Sequence, residues 1–102
     1  MSYRPRVGKA TLALLDLMES DISREWYGFE LMRATGLQSG VVYPVLARLE
    51  RAGWLIRWAD DIETREPGRP PRRLCRLTEE GQRVARAVLT KRGVRIAPAD
   101  TP

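Results

Sequence analysis

The chain has 102 residues, 43% hydrophobic and 30% charged, with a formal net charge of +5 and a pI near 10.1. That length and balance point to one soluble globular domain, and no apolar run approaches the roughly 20 residues a membrane helix needs. With no histidine and a single cysteine, Ser-His and Cys-His nucleophile pairs, an internal disulfide and a cysteine metal cluster are excluded, which argues against an enzyme.

The opening string MSYRPRVGK is basic and has no apolar signal core behind it, so a cytoplasmic protein is expected. The first helix is predicted over 7–19, where Val7, Thr11, Leu14, Leu15 and Met18 recur at helical spacing. Leu12 and Leu17 lie on other faces, so the helix is either buried all round or also meets a partner chain. ESDISRE, 19–25, is a polar break.

A second short helix is predicted over 26–34, closed by Thr35-Gly36. Leu37, Gln38 and Ser39 lead into a third helix that ends near Ala52-Gly53, with Val42, Val45, Leu46 and Leu49 as its apolar stripe. Two short helices joined by a tight turn containing glycine form a helix-turn-helix pattern. Pro44 lacks a donor for the carbonyl of Gly40, so an irregular first turn is expected there.

WLIRWA, 54–59, is aromatic and β-branched and predicts a strand. A polar loop with three prolines follows over 60–71, then a second strand over 72–77 with Cys75 and Leu77 on one face and Leu74 and Arg76 on the other. Together they make an antiparallel hairpin with a long tip. Thr78 is a suitable N-cap, and Glu79 and Glu80 place negative charge in the first turn of a last helix. That helix should reach about Lys91, with Val84, Ala87, Val88 and Leu89 apolar. The expected fold is mainly α with a small antiparallel β-hairpin, a winged helix-turn-helix. It occupies residues 1–92, with the wing at about 54–77 and a flexible tail over 93–102.

Several strings resemble the PadR-type transcriptional regulators. Tyr27-Gly28-Phe29-Glu30-Leu31 looks like the opening of their second helix, and Ser39-Gly40-Val41-Val42-Tyr43-Pro44-Val45-Leu46 is similar to their recognition helix. Arg48-Leu49-Glu50-Arg51-Ala52-Gly53-Trp54-Leu55 resembles the segment that follows it. Gly68 to Arg73 and Arg76 to Gly81 resemble the wing and its exit. The resemblance spans about residues 10–92 and implies a dimeric bacterial transcription factor, usually a repressor. The chain departs from the pattern at Val41, where a threonine is usual, and at Leu74-Cys75, where an aromatic pair is usual. It also lacks a long C-terminal helix after Lys91.

Sixteen of the 18 cations are arginine, whose planar fork suits phosphate and guanine edges. The partner expected is double-stranded DNA. The N-terminal part of the third helix would meet base edges through Gln38, Ser39, Gly40 and Val41, with Tyr43 and Pro44 beside them and Arg48 on the backbone. Tyr43 has a second reading as a partly buried core aromatic, and Arg48 as the ion-pair partner of nearby Glu50 or another acid. The wing would add Arg65, Arg69, Arg72 and Arg73, on a tip stiffened by proline, toward the minor groove or backbone. A homodimer would draw on spare apolar area at Leu12, Leu17, Val84, Val88 and Leu89.

No cofactor or metal is expected. The resemblance allows a small-molecule effector, for which Trp26, Trp54 and Trp58 could line a cavity between protomers. Cys75 should point into the core. The alternative to DNA binding is a winged helix used as a protein-interaction adaptor. A more distant alternative, an RNA binder, would need exposed stacking aromatics.

Overall fold

The computed structural model describes residues 3–59 and 73–93. Its elements are α1 (Lys9–Ser20), β1 (Trp26–Tyr27), α2 (Gly28–Thr35), α3 (Ser39–Arg51), β2 (Leu55–Ala59), β3 (Arg73–Leu77) and α4 (Glu79–Lys91). The architecture is mainly helical with one small antiparallel sheet. The expected wing tip and tail, 60–72 and 94–102, lie outside the described residues.

Helix α1 buries Thr11, Leu14, Leu15 and Met18, the face its spacing predicted. Val7 precedes the helix and packs against the core from a partly buried position. The core joins that face to Leu31 of α2, the stripe Val42, Val45, Leu46 and Leu49 of α3, and Leu55, Cys75 and Leu77 of the sheet. Each large apolar side chain removed from water contributes roughly 2 kcal/mol.

Residues 26–27 do not open the second helix as the sequence pattern suggested. They form a two-residue strand in the order β1-β3-β2, with Trp26 opposite Cys75 and Tyr27 opposite Leu74. The second edge of β3 needs hydrogen-bond partners, and an aromatic pair on a pleated surface supplies them while burying Trp26. Helix α2 therefore starts at Gly28. The Glu30 carboxylate reaches back to accept from the Tyr27 backbone N–H at 2.8 Å and from the Arg24 guanidinium at 2.9 Å. Negative charge in that first turn also complements the helix dipole.

The turn into α3 is closed by side chain and backbone together. The Gly36 N–H donates to the Met32 carbonyl at 2.8 Å. The Thr35 hydroxyl donates to the Leu31 carbonyl at 2.6 Å and accepts from the Leu37 N–H at 3.2 Å. Helix α3 then runs unbroken through Pro44. The irregularity expected in its first turn is confined to hydrogen bonding: the N–H groups of Val41 and Val42 both donate to the Gln38 carbonyl, at 2.9 and 3.0 Å. Proline is tolerated because the carbonyl it leaves unserved is that of exposed Gly40.

At the other end of α3, Gly53 has φ of +81°. Its N–H donates to the Glu50 carbonyl and the Trp54 N–H to the Leu49 carbonyl, both at 3.0 Å. This paired C-terminal closure directs the chain into β2. Strands β2 and β3 pair from Leu55 opposite Leu77 to Ala59 opposite Arg73. The burial of Cys75 and Leu77 against exposed Arg76 follows the expected alternation.

Thr78 caps α4, its hydroxyl accepting from the Gly81 N–H at 3.0 Å and donating to the Gly53 carbonyl at 2.7 Å. The inward face of α4 is Gly81, Ala85 and Leu89. Of the four apolar positions read from the sequence, Val84, Ala87, Val88 and Leu89, only Leu89 belongs to it. Val84 and Val88 are partly buried and Ala87 is exposed. Leu89, expected on a dimer surface, is 0% exposed within its own chain and has no area left to offer a partner. Small Gly81 and Ala85 bring α4 close to the rest of the fold, which a count of large apolar residues does not reveal. No described helix is long and apolar enough to cross a membrane.

Candidate nucleic-acid interface

Burying the Val42-Val45-Leu46-Leu49 stripe turns the opposite side of α3 outward. Gln38, Ser39, Gly40, Val41, Tyr43, Pro44, Ala47 and Arg48 are all exposed. Val41 and Tyr43 are 40% and 44% exposed, unusual for apolar and aromatic residues that could have been packed away. Short side chains at Ser39, Gly40 and Val41 give the start of α3 a slim outline. The helix carries no acid in its first turn, so its N-terminal dipole faces solvent unopposed.

Tyr43 is partly packed, as its second reading expected, and partly exposed. A Cβ built on Gly28 would lie 2.7 Å from its ring and hydroxyl, so the ring rests on the start of α2 while much of it stays in solvent. That contact explains the glycine in Tyr27-Gly28-Phe29: no larger residue leaves room for the ring. Arg48 is not paired with Glu50. That carboxylate instead accepts from Arg57 of β2 at 2.9 and 3.1 Å, which ties the helix to the sheet. Among the described residues Arg48 has no ion-pair partner.

Of the four wing arginines, Arg73 is exposed at the start of β3, opposite Ala59. Arg65, Arg69 and Arg72 lie outside the described residues. Of the three tryptophans expected to line a cavity between protomers, Trp26 and Trp54 are buried within the chain and Trp58 is partly exposed. Trp54 is buried beneath α4, and Trp26 is buried under the Arg24 guanidinium, which stands 3.7 Å from its ring centroid. Leu12, Leu17, Val84 and Val88 keep partial exposure on α1 and α4.

Cys75 is buried as expected. Loss of hydration pushes its thiol up to about 12, with Arg57 pulling it down and Glu30 adding to the rise. Such a thiol stays protonated and unreactive at neutral pH. No group of three metal-ligating residues forms among the described residues.

Sequence reasoning passed over the stretch before α1. Residues 3–9 run beside α3, and Arg51 of α3 places its guanidinium 4.3 Å from the Tyr3 ring centroid. Arg4, Arg6 and Lys9 are exposed there. The available signal is the basic string MSYRPRVGK, whose cations precede the first helix.

A helix-turn-helix whose second helix is half exposed, followed by an antiparallel hairpin and a closing helix, defines a winged-helix protein. The transcriptional regulator PadR-like family matches residues 14–87, and the chain belongs to that family, as its strings suggested. Its fold is thus of the winged-helix type.

Comparison with curated proteins gives no match. Among solved structures, the PcaV transcriptional regulator from Streptomyces coelicolor is similar at 28% identity and a TM-score of 0.67, over 88% of this chain and 57% of that one. The smu.1704 protein from Streptococcus mutans UA159 has 23% identity and a TM-score of 0.64, over 90% of this chain and 84% of that one. The circadian clock associated protein Pex from Anabaena has 22% identity and a TM-score of 0.60, over 83% and 79%. The last two show a shared fold. The chain spans little more than half the length of the PcaV regulator.

Proposed function

We propose that this chain is a sequence-specific double-stranded DNA-binding regulator that represses transcription in the cytoplasm as a homodimer. Helix α3 enters the major groove, which is about 12 Å wide and accepts one helix. Gln38 offers an amide to adenine, Ser39 a hydroxyl to base or phosphate, and Val41 a methyl surface to thymine. Gly40 lets the backbone approach closely, with Pro44 alongside. Tyr43 and Arg48 hold the flanking backbone, and the wing arginines Arg65, Arg69, Arg72 and Arg73 grip the minor groove or phosphates beside it.

The observation that carries this reading is the sharp division of α3. Its inner stripe is fully buried, and its outer face presents short or hydrogen-bonding side chains with Arg48 unpaired among the described residues. An adaptor surface would instead be expected to show a contiguous apolar patch. The exposed large apolar residues of this face, Val41 and Tyr43, are interspersed with polar and small ones.

Partly exposed Leu12, Leu17, Val84 and Val88 are the dimer surface in this proposal, setting two copies of α3 about 34 Å apart on one side of a duplex. Effector control belongs to the same proposal. One similar structure, the PcaV regulator, was solved with its natural ligand, and a compound that releases the duplex in a gel shift would establish the same here. The experiment for the whole reading is selection of bound duplexes from a random pool. A two-fold symmetric consensus supports it, and failure to enrich any sequence sinks it.

A further inference from the structure

We propose that residues 3–9 form a third DNA-contacting element, an arm that clamps backbone phosphates beside the groove occupied by α3. The inference rests on the reading that α3 binds duplex DNA, and adds a site to it.

A cleft of about 660 Å³ lies between this segment and the outer face of α3. One wall carries Arg4, Arg6 and Lys9. The other carries Val41, Pro44 and Arg48, residues already assigned to the recognition surface. The two walls are therefore one continuous surface, and a strand held by Arg48 would pass within reach of the arm.

The charge of the cleft has one sign. Its lining contains four cations and no aspartate or glutamate. Three arginines elsewhere are paired, Arg24 with Glu30, Arg57 with Glu50 and Arg86 with Glu19. Among the described residues Arg4, Arg6, Lys9 and Arg48 take part in no such pair, and all four are exposed. Four like charges around one cleft repel each other unless a polyanion supplies the counter-charge.

The arm is also built to hold its shape. Its residues alternate, as an extended chain must: Tyr3, Pro5 and Val7 are buried or partly buried, while Arg4 and Arg6 are exposed. Arg51 stacks on Tyr3 at one end, and Val7 packs on the core at the other. Pro5 fixes its own backbone torsion. Arg4 and Arg6 are thus displayed on an anchored scaffold, which lowers the ordering cost of binding. Backbone phosphates are the partner that fits, because the arginine fork matches phosphate oxygens and a cleft this open holds no base edge in a fixed geometry.

The test uses the full chain and a duplex it binds. Arg4→Ala/Arg6→Ala is compared with Arg4→Lys/Arg6→Lys and wild type by fluorescence anisotropy across a salt series. A random duplex of equal length is run alongside, and thermal melts check folding. Each lost phosphate contact removes about 0.9 from the log–log salt slope. The alanine pair should lower the slope by about 1.8 and weaken specific and random duplexes by the same factor, while the lysine pair keeps the wild-type slope. If the alanine pair keeps that slope while Arg48→Ala still weakens binding, the arm is idle and the α3 reading survives. If wild type binds no duplex at all, both fail. If the alanine pair loses only the specific duplex, the arm reads sequence and the phosphate assignment is wrong.

Discussion

Replacing Gly81 by alanine should destabilise the fold far more than a single methyl group ordinarily does. Gly81 lies in the first turn of α4, directly over the backbone of Trp54. A Cβ there would lie 1.9 Å from the Trp54 carbonyl oxygen and 2.8 Å from its carbonyl carbon. Ordinary contact begins near 3.4 Å, so the two backbones must part by about 1.5 Å. Neither can yield cheaply. The Trp54 carbonyl accepts from the Thr78 N–H at 3.0 Å, and Thr78 in turn caps α4 and holds Gly53.

Overpacking of this kind costs about 1–3 kcal/mol, and loss of the Thr78 cap about 1 kcal/mol more. Alanine returns up to about 1 kcal/mol as a better helix former than glycine. A net loss of about 1–3 kcal/mol corresponds to a fall in Tm of roughly 5–20 °C for a domain of this size. Thermal unfolding followed by circular dichroism measures it. An unchanged or raised Tm would refute the contact, because that is how an exposed helical glycine responds to alanine.

Gly40 supplies the opposite case. Nothing lies within 4 Å of a Cβ built there, so Gly40→Ala should raise Tm by a few degrees while weakening duplex binding by crowding the groove; unchanged binding would remove Gly40 from the interface. Gln38→Ala or Ser39→Ala should shift sequence preference more than affinity for random duplex, and an equal loss on both would count against base contact. Arg73→Ala should lower the log–log salt slope by about 0.9, with an unaltered slope excluding that end of the wing. Cys75, with its thiol raised to about 12 from 9.0, should be alkylated roughly a thousandfold more slowly at pH 8 in the folded than in the denatured chain; comparable rates would contradict its burial. Its neutral form is favoured by folding, so its contribution to stability is intact below about pH 9 and declines as pH rises toward 12.

The long elements were legible because their signals are local. The stripe Val42, Val45, Leu46, Leu49 and the Thr78-Glu79-Glu80 start each announce a helix within a few residues, and both stand where expected. The exposed side of α3 followed directly, since fixing one face of a helix fixes the other.

What escaped depends on contacts distant in sequence. Trp26 and Tyr27 became a strand because β3, nearly 50 residues later, offered a free edge. Leu89 went to the core rather than to an outer surface because Gly81 lets α4 approach Trp54 closely. Arg57 captured Glu50, which neighbouring Arg48 might have held, once β2 folded back along α3. The arm at residues 3–9 has alternating rather than helical character, and its neighbours on α3 are over 30 residues away.

The placement of α3 in the major groove is tested most directly by methylation interference on the selected duplex. Guanine N7 lies in that groove and adenine N3 in the minor one. Interference at guanine N7 in two patches one helical turn apart is the expected result. Interference confined to adenine N3, or absent from both grooves, would contradict it.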